Sequence, residues 1–363
     1  MLTIGIISQT LLYLCFSLTI GSFVLYLIPS THRPDIMVPK GILMIATGGI
    51  AIFSFFPVLQ LILFLSPDIG FAQTFLSVLF TFEVGQSWVF TFIVANLLYI
   101  FVIWFDYQNK AKYSWIGLIF TFFLILALGW SSHASSYDQV KGFLTHTSHF
   151  TAVTIWVGIL IVVSWFSKSN SNWLKFLKWF TPIALFCFII TILTGLILMT
   201  FVVEFKDYSN SWMIPYGQSL LIKHILIIPL MVYIVINSIL VKKKIKKDIT
   251  FNPTPWVRVE SIVLLLIFSA TAALGQQSPP HETTIVEGVL SKLFTILYQG
   301  EFQPDMNVQL VLNLTSFSFF LLAILFLVLS IFSFIKRVPT ILSFLMNMLS
   351  VICFYLALIL SIK

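Results

Sequence analysis

The chain has 363 residues, 59% of them hydrophobic and only 9% charged, with a formal net charge of +7. An average soluble domain carries roughly 25% charged residues, so a conventional water-facing surface is excluded. A helix of about 20 apolar residues crosses a hydrocarbon core, and runs of that length recur throughout. The composition predicts an all-α, polytopic transmembrane helical bundle in a lipid bilayer.

Taken in chain order, the apolar runs predict ten spans, at 4–28, 41–65, 86–105, 115–132, 145–167, 179–204, 216–241, 257–275, 309–335 and 339–362. The first follows no basic cluster and precedes no small-residue cleavage site, so it reads as a retained anchor. The run 69–82 is also apolar. As an eleventh span it would break the alternation of loop charge, and it is placed as an outer interfacial or re-entrant segment. Between 284 and 302, Ile285, Val286, Val289, Leu290, Leu293, Phe294 and Leu297 recur at helical spacing, which predicts an amphipathic helix lying on the membrane surface. The expected organisation is a membrane domain over 1–280, an external loop with that helix over 281–308, and two further spans over 309–363.

Basic residues in short loops mark the cytoplasmic side. Alternate loops hold Arg33 and Lys40; Lys110 and Lys112; Lys168, Lys175 and Lys178; Lys242 to Lys247 with Arg258; and Lys336 with Arg337, fifteen of the twenty basic residues. The opposite loops hold Lys141, Lys206 and Lys292 among most of the acids. Both termini are therefore expected outside, and a nucleic-acid partner has no support.

That orientation places five of the six histidines on the outer side. His133 ends the fourth predicted span, His146 and His149 open the fifth, and His281 lies in the external loop. His224 is eight residues into the seventh span, about 12 Å deep at 1.5 Å per residue. His32 alone falls on the cytoplasmic side. Neutral imidazole suits copper, zinc, iron and nickel, and residues three apart share a helix face, so His146 and His149 could address one ion, with His133 and His224 joining. The plainer readings are interfacial residues at His133 and His146, hydrogen bonds to neighbouring helices at His149 and His224, and a solvated loop residue at His281.

The motifs around this cluster resemble the CopD family of copper-resistance membrane proteins. They are Gly129 to Ala134 ("GWSSHA"), His149 followed by "TIWVG" with Trp156 and Gly158, Thr194-Gly195, "YGQSLLIK" from Tyr216 to Lys223, Asn237, "VRVE" with Arg258 and Glu260, Pro279-Pro280, and "TFEVGQSW" upstream. The resemblance covers residues 81–280 best. It implies movement or handling of copper at a bacterial plasma membrane; joined to the histidine cluster, the expected reading is copper held at the outer face by a subset of His133, His146, His149, His224 and His281 and moved toward the cytoplasm. A soluble extracytoplasmic copper-binding protein is the partner implied.

Further in, Cys187 and Met199 offer softer ligands that suit Cu(I), although lone Cys and Met in apolar helices usually pack. Cys15, Cys187 and Cys353 fall in separate spans, so a disulfide framework is not expected. Trp156 shares the His149 face and could pack beneath the site. Lys223, beside His224, would repel a cation unless paired, with Glu204 the candidate partner; Glu260 reads as an interfacial ion pair with Arg258. The rival reading is a b-type cytochrome holding haem b between His149 and His224. A third is an assembly protein delivering copper to an oxidase. No nucleophile–base pair or phosphate loop is visible, so an enzyme reading rests on haem alone.

Overall fold

The computed structural model describes residues 1–280, 290–298, 300 and 306–363. Among the described residues the chain is helical, with two isolated bridges, Ile36 to Ser167 and Leu310 to Ile362, and no strand. Ten helical segments there are long and apolar enough to cross a membrane, by length and composition. They match the predicted spans to within a few residues at most ends. Contacts divide the chain into two compact units, Met1–Phe201 and Val202–Lys363; that boundary falls inside the stretch expected to be one membrane domain.

The first unit begins with α1 (Leu2–Leu27), α2 (Lys40–Phe53), α3 (Phe56–Ile69), α4 (Phe71–Thr81), α5 (Glu83–Trp104) and α6 (Ala111–Trp130). It continues with the short α7 (His133–Tyr137), then α8 (Gln139–Phe166) and α9 (Trp173–Thr200). The predicted second span is broken into α2 and α3. Pro57 has no N–H to give, so it fits the first turn of a new helix better than the interior of an old one. The break leaves carbonyls at the end of α2 open, and Ser8 of α1 donates to that of Phe53 at 3.2 Å. The run at 69–82 is a helix of its own, α4, too short to count as a span.

Leu12, Phe16, Ile20 and Phe23 recur at helical spacing on α1 and are all buried, forming with Leu43, Ile50, Leu98 and Leu124 the main core of this unit. α1 and α8 cross where Gly21 meets Gly158. A Cβ on either residue would overlap the other helix's backbone, the carbonyl of Gly158 in one case and that of Ser17 in the other. The glycine of "TIWVG" is thus a packing residue that lets two backbones touch. On the far side, α9 leaves Leu185, Phe186, Ile189, Leu193 and Ile197 exposed. A large exposed apolar face on a long helix is the surface a bilayer covers.

The second unit holds α10 (Pro215–Val235), a π-helical turn (Ile236–Leu240), α11 (Val241–Lys247) and α12 (Thr254–Gly275). Short α13 (Lys292–Leu297) and the hairpin of α14 (Leu314–Ile335) and α15 (Thr340–Ile359) follow. α13 covers six residues of the amphipathic helix expected over 284–302; residues 284–289 lie outside the described residues, as does His281. Within α13, Phe294 is fully buried against Trp212, Met213 and Leu221, which ties this segment into the core of its unit. Tyr233 of α10, Ser330 of α14 and Ser343 and Asn347 of α15 form a fully buried polar cluster, with Tyr233 to Ser343 at 3.1 Å, Ser330 to Ser343 at 2.8 Å and Asn347 to Ser330 at 2.7 Å.

Candidate metal centre

α6, α7 and α8 place three of the candidate ligands in the first unit. Helix α6 ends after Trp130, and the serines that follow build a turn. Ser132 caps α7 by accepting from the Ser135 N–H at 3.3 Å, and Ser135 donates to the Gly129 carbonyl at 2.7 Å. The polar residues just before His133 are therefore a capped corner that ends one helix and starts the next. Helix α7 then lies against the first turn of α8 because Gly142 has no side chain; a Cβ there would overlap the Ala134 carbonyl. This seats α7, with His133 at its head, against the start of α8, the helix that carries His146. The stretch expected as a loop after His133 is mostly helix, and α8 starts before the predicted fifth span, at Gln139.

The three imidazoles differ in setting. His133 is exposed at the head of α7. His146 is half-buried and stacks on Phe150 with centroids 6.2 Å apart, and its Nδ1 is buried without a hydrogen-bond partner. His149, one turn on, reaches α9. Its Nδ1 lies 3.0 Å from the Thr194 hydroxyl, and its ring sits over the bare backbone of Gly195, where a Cβ would come within 3.4 Å. Thr194 donates its own proton to the Ile190 carbonyl at 2.6 Å. Its oxygen is then an acceptor, so His149 donates from Nδ1 and keeps its lone pair on Nε2. A histidine that ligates a metal is usually oriented in this way, by a hydrogen bond from its other ring nitrogen.

In the second unit, His224 of α10 is half-buried and its Nδ1 meets the Tyr208 hydroxyl at 2.7 Å. Burial pushes the Tyr208 phenol up to about 12, so it is neutral at physiological pH. Glu204 bonds Lys206 at 2.9 Å, both ends exposed, and that hydrogen bond and charge raise the Lys206 ammonium above its ordinary value. Glu204 is thus occupied away from Lys223, its expected partner. Among the described residues, no three His, Cys, Asp or Glu side chains come together as a group able to hold a metal ion. The cysteines are free and buried. Cys187 and Met199 are both buried on α9, and Trp156 is buried edge-on against Phe188 at 5.5 Å. An open cavity of about 440 Å³ lined by Phe90, Phe123, Trp130 and Phe143 includes no histidine.

Most of the quoted motifs serve packing. In "TFEVGQSW", Gly85 lets α5 press on the Val78 carbonyl, Gln86 donates to Phe80 O at 2.8 Å, Ser87 to Ala127 O at 2.6 Å and Trp88 to Ala51 O at 3.0 Å. In "YGQSLLIK", Gly217 clears the Ser211 carbonyl, and Gln218 bonds Trp212 O and the Tyr355 hydroxyl. Thr194-Gly195 is different, because it touches a candidate ligand. The remaining pair, Asn237 and Glu260, meet each other: Asn237 Nδ2 donates to Glu260 Oε2 at 2.6 Å. Glu260 is buried while Arg258 is exposed, so the carboxyl turns inward instead of to the interfacial ion pair read from the sequence. Sequence spacing gave no sign of this pair, nor of Tyr208 as the partner of His224.

Residues 174–274 match the family model of copper resistance protein D, CopD. The chain is also 27% identical over 323 residues to the copper transport protein CutJ of Bacillus subtilis (strain 168), an alignment covering 83% of this chain. It spans only 58% of that relative's length. No solved structure matches the chain. The matched segment holds Thr194-Gly195, Asn237 and Glu260, and over it the chain is similar to the CopD family.

Proposed function

We propose that the chain handles copper at a bacterial plasma membrane, taking it at the extracytoplasmic face and moving it toward the cytoplasm. The observation that carries this reading is the seat of His149. Its ring is held against Thr194 and Gly195, one helical turn from His146, whose Nδ1 is buried and unpartnered. The CopD match and the copper transport relative support copper as the cargo. A site built on His146 and His149 of α8, with His133 on the adjoining α7, would be an open, low-count site. That suits an ion in transit, which must bind well enough to enter and weakly enough to leave. His224 and His281 are the further candidate ligands.

Beyond the first site, Cys187 and Met199 are the soft donors on α9, twelve residues apart, or about 18 Å along the axis. They would suit the ion as Cu(I). Loop charges favour both termini outside, and acidic outer loops would draw a cation, or a soluble copper-binding protein that carries one. The chain acts in this reading as a transporter, with copper as its substrate.

Cellular copper measured with and without the gene tests the direction. Import predicts lower accumulation in the deletion strain at a fixed external supply, restored by the wild-type gene and not by a His146→Ala, His149→Ala double variant. Unchanged accumulation in the deletion strain would contradict transport.

A further inference from the structure

The second unit buries a carboxyl that copper handling does not use. Glu260 is 3% exposed and Asn237 is 5% exposed. Asn237 Nδ2 donates to Glu260 Oε2 at 2.6 Å and to the Trp256 carbonyl at 3.2 Å, while Asn237 Oδ1 is buried with no hydrogen-bond partner. Asn237 sits in the π-helical turn Ile236–Leu240, a distortion that recurs at functional positions. Ionisable groups inside a membrane span are rare and mark ion or proton sites by default.

The hydrogen-bond inventory decides what occupies the place. An ionised carboxylate only accepts, so an ionised Glu260 would leave its negative charge beside a second, unanswered acceptor, Asn237 Oδ1. Both demands are met by one proton. A neutral acid accepts the Asn237 N–H at Oε2 and donates its O–H to Asn237 Oδ1, closing a two-bond acid–amide ring. We propose that Glu260 and Asn237 form a proton-binding site inside the second unit, holding one exchangeable proton between the carboxyl and the amide oxygen. Release leaves the carboxylate and a hydrated proton; uptake reverses it, and no other reactant is needed.

The other charged and titratable groups on the packed elements are few. Helix α12 adds Arg258, which is exposed; α10 carries Tyr216, Lys223, His224 and Tyr233; α11 carries Lys242, Lys243, Lys244, Lys246 and Lys247; α15 carries Cys353 and Tyr355; α14 and the π turn carry none. Lys223 and His224 are at least thirteen residues from Asn237, about 20 Å along the helix. The α11 lysines follow the π turn directly, so a proton leaving Glu260 toward that end meets a cationic surface, which favours the ionised carboxyl left behind. The assignment is independent of copper.

Infrared absorption of the purified full chain at neutral pH, in H2O and in D2O, reads the site directly. The expected result is a carbonyl-stretch band of a protonated carboxylic acid that shifts in D2O and is missing from Glu260→Gln. If that variant does not fold, Asn237→Ala serves: loss of the acid–amide ring should move the band to higher frequency. A wild-type spectrum without such a band overturns the proposal, as does a band unmoved in Asn237→Ala. Loss of the band on adding sodium at constant pH would also overturn it, since the occupant would then be a metal cation.

Discussion

His149 shows how a ligand candidate and its support divide between sequence and structure. The histidine, its i+3 relation to His146 and the Thr194-Gly195 motif are all visible in the chain, but their contact is not: forty-five residues separate His149 from Thr194. Thr194→Val removes the acceptor for His149 Nδ1 while keeping the shape. It should weaken copper binding about 10–100-fold, the usual cost of losing such a partner, measured by titration against a competing chelator. The second unit offers a contrast. Tyr208→Phe removes the hydrogen bond to His224 and should cost about 1 kcal/mol of stability, read as a shift in thermal unfolding in detergent. Copper binding by imidazole should weaken as the pH is lowered, because a protonated ring has no lone pair for the metal; lowering the pH adds the proton, so affinity is lost on the acid side. The inward turn of Glu260 had no signal in the chain, because a carboxylate two residues from an arginine reads as a surface pair until burial is known.

At the scale of helices, hydrophobic runs gave the spans because a bilayer imposes a minimum apolar length. What the runs hid were the breaks. Pro57 divides the second span, and the serines after Trp130 form a capped corner where a loop was expected. Both are short-range backbone effects that average hydropathy does not register. Gly158 is the clearest element-level test, since "TIWVG" reads from sequence as part of a histidine signature, yet the glycine serves the α1–α8 crossing. Gly158→Ala drives a Cβ into the Ser17 carbonyl of α1, so the helices must part. The expected destabilisation is about 1–3 kcal/mol, as for other overpacked cores, measured by thermal unfolding of the detergent-solubilised protein. A variant as stable as wild type would mean that the crossing is looser than the structure shows.

For the molecule as a whole, alternating loop charge predicts an orientation in the membrane. Ser136→Cys lies in α7 on the expected outer side, and Lys243→Cys in the basic α11 on the inner side; the native cysteines are buried. An impermeant maleimide applied to intact cells should label the first and reach the second only after lysis. The reverse pattern would turn the chain over and move the histidine cluster inside. The central claim, that imidazoles of α7 and α8 take copper, is tested most directly by elemental analysis and an absorption spectrum of the purified protein after copper loading. The account predicts bound copper and no haem absorption in wild type, copper kept in His32→Ala, and copper lost in the His146→Ala, His149→Ala double variant. Copper retained in full by a folded double variant, or a haem spectrum in place of copper, would contradict it.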